Sequence, residues 1–476
     1  DIGGQEINLG LQICEDLWDE DYDRKVTEEL QQAGAAFVVN ISASPYHELR
    51  LKERLGLVQN KVQATGIPFF YCNLVGAQDE LVFDGQSLAV NGTGELIGLG
   101  AIFSEEIVYV NTGSDSRISL PADNREEELY AGLVLGVRDY FKKTGHKEAV
   151  IGLSGGIDST LVLGLIRKTL PDLDINAISI KFTDSYDETE SASQIAKKVG
   201  VNHHIVEVDN FLEKLPEAIS ITGLPFWDIH WIYVAENAKN FSNYLVSGDG
   251  GDELFGGYVF RYSKFLSKIN SNSSPKDKIQ AYLSCHERDH VPEQEIIFDK
   301  KMQFNWNDIY DQLYPFFNNT LSPIEQVFLA DYNGKLLYNF SIINNSIAKH
   351  FNLNSVTPLL SHKIIQKSMK IPTIQKFNSS LNIGKLPLRK ILKKFGIEEF
   401  ILKQKLGFSV NTENLWKNYG FEMAKEYLSD AKIIQDGWVK ENWIKSNLND
   451  NHIDIRHINK LFGLLAFEIW YRKFST

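Results

Sequence analysis

Cysteine is scarce in this sequence: Cys14, Cys72 and Cys285 are the only three in 476 residues. An odd number so widely spaced offers neither a disulfide framework nor zinc-ligand spacing. A reducing compartment, the cytoplasm, is the expectation. No apolar run reaches the roughly 18 residues that a membrane span requires, so no membrane partner is expected. Basic residues are in deficit, with 49 Lys and Arg against 62 Asp and Glu and a formal charge of -13. That balance argues against general nucleic-acid binding, because neutralising phosphates takes clustered Lys and Arg. The opening Asp-Ile-Gly-Gly has neither the basic nor the apolar part of a signal peptide. It does not begin with Met, and the first motif lies a dozen residues in, so further sequence ahead of residue 1 is an expectation. No internal repeat is present. What remains is ordinary: 43% hydrophobic and 23% charged residues, enough chain for two or three domains whose cores need no covalent staples.

Residues 1–112 read as short β-runs with helices between them. Ile7 to Cys14, Ala35 to Ile41, Pro68 to Leu74 and Leu96 to Phe103 are predicted strands, and Leu51 to Ala64 has helical spacing. The continuous apolar run at Ala35 to Ile41 predicts a strand buried on both faces. Residues 113–124 are polar and turn-rich and are read as a linker. A helix follows, capped by Asp123 or Asn124, with Glu126 to Glu128 at the positive end of its dipole and Leu129, Leu133, Val137 and Phe141 along one apolar face. From Ala149 strands and helices alternate: strands at Ala149 to Leu153, Ala177 to Phe182 and His204 to Val208, helices at Ser159 to Leu170 and Glu188 to Val199. This order predicts an α/β core with a doubly wound parallel sheet, spanning 125–260, whose ligands bind beyond the carboxyl ends of the strands. Residues 261–476 read as mostly helical, with Ile269 to Asp277 as a mobile loop.

The sharpest local signal is Leu153-Ser154-Gly155-Gly156-Ile157-Asp158-Ser159, after a strand and opening a helix. Its glycines permit close approach of a phosphate, and Ser154, Ser159 and the helix amides can donate to it. Asp158 would repel phosphate by itself and makes sense as a ligand for Mg2+, which bridges carboxylate and phosphate oxygens. No Lys follows the last glycine, so this is not a Walker loop. The string resembles the signature of the PP-loop family of ATP pyrophosphatases, which cleave ATP to AMP and pyrophosphate and adenylate a substrate oxygen.

A second loop, Ser247-Gly248-Asp249-Gly250-Gly251-Asp252-Glu253-Leu254-Phe255-Gly256-Gly257-Tyr258, packs five glycines and three carboxylates into twelve residues. Crowded acids repel and glycine costs entropy, so the segment is not expected to be a core element. It makes sense against a divalent cation and a phosphate-bearing or cationic ligand. It lacks EF-hand spacing. The string resembles the second signature of the asparagine synthetase family. The resemblance takes in Tyr186-Asp187-Glu188, His203-His204, Pro225 through Asp228, Lys385 through Lys390 and Lys403 through Phe408, most of residues 150–410. It implies that Asp158 and Asp252 hold Mg2+ and that Leu153, Ile180, Ser247 and Gly248 contact ATP. It further implies that Asp249 assists formation of, or attack on, an acyl-adenylate, and that Lys405 stabilises charge as pyrophosphate leaves.

Near the amino terminus, Gly10-Leu11-Gln12-Ile13-Cys14-Glu15-Asp16-Leu17-Trp18 sets one thiol between a strand and an acidic turn. A lone Cys is usually a small buried hydrophobe. These residues, with Asn40 through Tyr46, Asn73 through Glu80, Phe83 through Gly85 and Glu128 through Tyr130, resemble the nitrilase-type glutaminase domain of glutamine-dependent NAD synthetase. That implies a partial nitrilase-like α/β sandwich in which Cys14 attacks the side-chain amide of glutamine and releases ammonia through a thioester. The family's Glu base and Lys lie well upstream of the Cys, and only thirteen residues precede Cys14. Glutamine hydrolysis is therefore not expected from these residues alone, and a further glutaminase half is an expected partner.

The combined expectation is an ATP- and Mg2+-dependent, AMP- and pyrophosphate-forming amidotransferase. It would adenylate a small carboxylate, aspartate foremost, and amidate it with ammonia from glutamine, as a homo-oligomer. Two alternatives stand beside it: NAD synthesis from the deamido dinucleotide, and adenylate binding without catalysis. Residues 345–361 depart from the asparagine synthetase pattern. Asn345, Asn354, Val356 and Ser361 stand where that family has Asp, Glu, Arg and Asp, while Pro358 is kept.

Overall fold

The computed structural model of the protein describes residues 6–79, 81–112, 117–122, 124–145, 147–183, 187–286, 289–397, 399, 410–449 and 453–475. The chain divides into two compact units, Asp1–His146 with Lys168–Pro171, and Lys147–Arg167 with Asp172–Thr476.

The first unit holds strands β1 (Leu9–Ile13), β2 (Phe37–Ser42), β3 (Phe69–Asn73), β4 (Val75–Gln78), β5 (Leu81–Asp84), β6 (Leu88–Val90) and β7 (Leu96–Leu99). One sheet runs β1-β2-β3-β6-β7, and β4 and β5 form a separate hairpin. β1, β2 and β3 pair in parallel, whereas β6 and β7 join antiparallel. The helix Arg50–Thr65 supplies Leu55, Val58 and Val62 to a core with Val38, Phe69 and Tyr71. Among the described residues, only that face of the sheet is sealed. The other presents Leu9, Leu11, Ile13 and Ile41, each more than half exposed. The expectation that the second strand is buried on both faces is thus corrected: β2 alternates, because the helix packs against one side of it.

The helix Arg125–Thr144 begins as its sequence predicts, with Asn124 Oδ1 accepting from Glu127 N at 3.3 Å. Its deepest residues are Gly132, Leu135 and Phe141, a stripe rotated from the expected one. Asp139 accepts from Ala77 N at 2.8 Å and Lys143 donates to Ala77 O at 2.5 Å, tying the helix to the β4–β5 hairpin. It groups with the first unit.

The second unit is built on β8 (Glu148–Gly152), β9 (Asp174–Phe182), β10 (Asn202–Val208), β11 (Tyr244–Val246) and β12 (Asn354–Val356). They form one parallel sheet in the order β10-β9-β8-β11-β12. The chain winds outward from β8 to β10, then returns to place β11 on the opposite side of β8. This is the doubly wound α/β sheet expected, and the order reverses between β8 and β11, where such sheets open a crevice beyond the strand ends. The remainder is mainly helical, as expected, and its long helix Ile455–Phe474 buries Leu461, Phe462, Leu465 and Ala466 in the main core.

Two local expectations fail. Residues 269–277 are not all loop, since Ser274 caps a helix at Pro275–Ser284 through a reciprocal bond with Asp277. The acidic, glycine-rich segment does carry core residues: it contains the helical turn Gly251–Phe255, with Leu254 and Phe255 buried. The acids find separate partners, Asp249 with Asn344, Asp252 with Lys385 and Glu253 with Tyr258, so the crowding does not prevent burial.

Candidate active site

The phosphate-loop string leaves β8 and turns into the helix Ile157–Thr169. Leu153 is fully buried, and its N–H donates to Ile178 O at 2.8 Å. Ser154 Oγ lies 3.2 Å from Ser159 Oγ and accepts from Gly156 N at 3.3 Å, closing the loop on itself. Gly155 has φ +69°, a conformation that costs a side chain dearly, and an added Cβ would lie 3.1 Å from Ser191 Oγ. The turn is also tethered from below. Ser179 Oγ donates to Leu153 O at 2.6 Å and lies 2.7 Å from His203 Nε2. Burial and the neighbouring His204 hold the His203 imidazole below its usual pKa, so it acts as a neutral structural strut. Ile180 is buried in β9, within the apolar core.

The acidic loop leaves β11, the strand on the other side of the reversal, and meets the phosphate loop directly. A Cβ on Gly248 would lie 2.6 Å from Ser159 N and 2.7 Å from Asp158 C. One on Gly251 would overlap the Asp158 carboxylate. Only glycine at these two places lets the turns touch. Ser247 is buried and donates its backbone N–H to Val356 O of β12 at 3.0 Å. Beside it, Asp249 Oδ2 accepts from Asn344 Nδ2 at 3.1 Å, and its N–H donates to Ser247 Oγ at 3.4 Å. Burial pushes the Asp249 carboxyl up, opposed by these hydrogen-bonding neighbours. A small cavity of about 30 Å3 opens here, lined by Ser247, Asp249, Ser341, Asn344, Ser355 and Thr357 among others, and no cationic side chain lines it among the described residues.

Asp158 and Asp252 converge on one point. Lys385 Nζ lies 2.5 Å from Asp158 Oδ2 and 2.6 Å from Asp252 Oδ1. Two carboxylates from two turns suit magnesium, which takes one or two carboxylates and keeps water and substrate oxygens for its other positions. No cluster of three or more His, Cys, Asp or Glu fit for a metal exists among the described residues. Glu253 is buried next to Asp252 and accepts from Tyr258 OH at 2.5 Å; burial and the Asp252 charge push its carboxyl up to about 7. Sequence reading gave no role to Lys385, Asn344 or Glu253. Lys385 and Glu253 lay inside quoted motifs, whereas Asn344 had no signal. Lys405, expected at this site, lies outside the described residues, as does Tyr186.

In the first unit, Cys14 follows β1 at the start of a short 3-10 turn, half-buried, with φ +44°. A non-glycine residue held there is strained, and such strain is found where a side chain must be aimed. Below it lies a polar network. Ser42 Oγ donates to Asn40 Oδ1 at 2.5 Å, and Asn73 Nδ2 donates to Gly85 O at 3.0 Å. Arg54 grips Asp84 with two 2.8 Å bonds, both residues fully buried. Tyr46 OH donates to Glu128 Oε2 at 3.1 Å. The motifs quoted around Asn73 and Asp84 thus join in one buried network through Arg54 and Ser44, while those around Asn40 and Glu128 make pairs of their own. Cys14, Cys72 and Cys285 are all free thiols.

The asparagine synthase family matches residues 145–472, which include both turns and Lys385. The chain belongs to the asparagine synthase family. Among curated proteins it is similar to the glutamine-dependent NAD(+) synthetase of Synechocystis sp., 31% identical over 287 residues, covering 54% of this chain and 50% of that protein. It is likewise similar to the enzyme of that name from Thermotoga maritima, 31% identical over 251 residues, covering 45% and 43%. The chain spans about half the length of these relatives, or less. Among solved structures it is similar to the glutamine-dependent NAD+ synthetase from Acinetobacter baumannii in complex with ADP, with a TM-score of 0.44, 21% identity, and coverage of 75% of this chain and 72% of that one.

Proposed function

We propose that this protein adenylates a carboxylate with ATP, releasing pyrophosphate, and completes an amide with ammonia drawn from glutamine. The observation that carries the proposal is the meeting of the two glycine-rich turns at the sheet reversal, with Asp158 and Asp252 aimed at one point. The helix Ile157–Thr169 offers its amino-terminal amides, and Ser154 and Ser159 offer hydroxyls, to a phosphate chain. Asp158 and Asp252 would hold magnesium, which when bound neutralises the leaving pyrophosphate. Leu153, Ile180, Ser247 and Gly248 would form the wall against the nucleoside. Asp249, its carboxyl pushed up by burial, would take the proton lost as ammonia attacks the acyl group. Lys405 would add a positive charge as pyrophosphate departs.

The acceptor is where two readings part. Family membership supports amino-acid chemistry, with aspartate first. One observation favours a different carboxylate. The curated relatives carry the name of glutamine-dependent NAD(+) synthetase, which supports nicotinic acid adenine dinucleotide as the acceptor. ATP–pyrophosphate exchange across a panel of carboxylates, including aspartate and the deamido dinucleotide, tests the proposal. Exchange with one acceptor, lost in Asp158→Ala, is expected; exchange surviving in that variant would remove the phosphate loop from the chemistry.

For the first unit, Cys14 would attack the glutamine side-chain amide. The uncovered apolar face bearing Leu9, Leu11, Ile13 and Ile41 supports a further β-layer packed upon it, carrying the Glu base and Lys that nitrilase-type chemistry needs.

A further inference from the structure

Lys385 is a costly residue where it stands. It is 3% exposed, its backbone sits at φ +57°, and it opens the helix Leu386–Lys393 without a capping side chain. A non-glycine residue in the left-handed region is strained, and a buried ammonium is unfavourable without close counter-charges. The surroundings hold it there regardless. Lys385 N donates to Phe255 O at 3.0 Å, and Gly384 lies so close to Gly256 that no Cβ would fit between them. The result is an ammonium delivered to the point shared by Asp158 and Asp252, from a segment far along the chain from either turn.

That point is also where a metal ion must sit if those two carboxylates bind one. An ammonium and a hydrated divalent cation cannot share it. A metal arriving alone would have to expel Lys385 from two carboxylates while bringing no anion to replace them. A metal arriving with a polyphosphate brings anionic oxygens to which the lysine can move. We propose that Lys385 is a resident cation of this site, bridging the two carboxylates and refusing bare metal, and that it is released to the phosphate chain when metal and nucleotide enter together. Magnesium binding would thereby be made conditional on nucleotide. The inference rests on the reading of Asp158 and Asp252 as metal ligands.

The test uses the 476-residue chain and Mn2+ without nucleotide, followed by water-proton relaxation, which responds when the ion is on the protein. Wild type is expected to bind Mn2+ weakly. Lys385→Met, which removes that ammonium from both carboxylates, is expected to bind it at least about tenfold more tightly, and adding Asp252→Asn to that variant should reverse the gain. Inorganic tripolyphosphate should raise binding of Mn2+ to wild type by a similar factor. Equal Mn2+ affinity in wild type and a folded Lys385→Met would overturn the proposal. If Lys385→Met does not fold, tight Mn2+ binding by wild type alone, or no gain with tripolyphosphate, overturns it as well. Failure of the ATP reading is separately visible, as wild type that binds no ATP with magnesium present.

Discussion

A single methyl group at Gly248 should pry the two turns apart. An added Cβ would stand 2.6 Å from Ser159 N and 2.7 Å from Asp158 C, against about 3.4 Å for an ordinary contact. The shortfall is close to 1 Å, and the atoms that must yield are backbone at the start of a helix, not the tip of a flexible side chain. Overpacking of this kind costs about 1–3 kcal/mol. Gly248 is not among the residues with positive φ, so alanine also restricts the unfolded chain, recovering roughly 0.4–1 kcal/mol. Net destabilisation should therefore be modest, about 1–2 kcal/mol by urea melting. The effect on the site should be larger, because a displacement near 1 Å between reacting groups costs on the order of 100-fold. Calorimetric titration of Gly248→Ala with ATP and magnesium should show at least a tenfold loss of affinity, and pyrophosphate exchange should fall further. Gly463→Ala is the control: nothing lies within 4 Å of its added Cβ, in the middle of the helix Ile455–Phe474, and it should stabilise by up to about 1 kcal/mol. A folded Gly248→Ala that binds magnesium–ATP like wild type would refute the claim that contact between the turns builds the site.

Other consequences can be checked independently. Asp252→Asn should abolish magnesium-dependent ATP binding while leaving the chain folded; retained binding in titration calorimetry would count against the shared metal point. Arg54→Ala strips a fully buried carboxylate, Asp84, of a two-bonded partner and should destabilise the first unit by about 3–5 kcal/mol in a urea melt. His286 accepts from Arg261 Nη1 at 2.5 Å and donates from Nδ1 to Tyr282 O at 3.0 Å, and burial followed by the Arg261 charge lowers its pKa to about 4. The unfolded chain then binds the extra proton between about 6.5 and 4, so stability from this residue is present above 6.5 and drains as pH falls to 4. The loss is at most about 3 kcal/mol. His286→Gln should flatten that part of the stability–pH curve; an unchanged slope would contradict the assignment.

Much of the site was legible because its signals are local. A run of glycines and acids after a strand reads as a turn aimed at phosphate and metal whatever the rest of the chain does; that both turns leave adjacent strands comes from the pairing of β8 with β11. Lys385 could not be found that way. Nothing in Gly384-Lys385-Leu386-Pro387 announces a metal-site cation, and its partner Asp158 lies 227 residues away. β12 escaped for a similar reason. Asn354-Ser355-Val356 has a single β-branched residue and no alternation, and it is a strand because the exposed edge of β11 pairs with it. The helix at Pro275–Ser284 was different, since its Ser274–Asp277 capping signal was present and was outweighed by the polar run before it. The one-sided burial of β2 depends on which layers cover the sheet, which its own apolar residues do not encode.

The most direct test of the account is the nucleotide product. With magnesium, ammonia and the carboxylate that supports exchange, ion-exchange chromatography of the reaction should show ATP converted to AMP and pyrophosphate in step with amide formed, and no conversion in Asp158→Asn. Accumulation of ADP and phosphate instead would contradict adenylation at the paired turns.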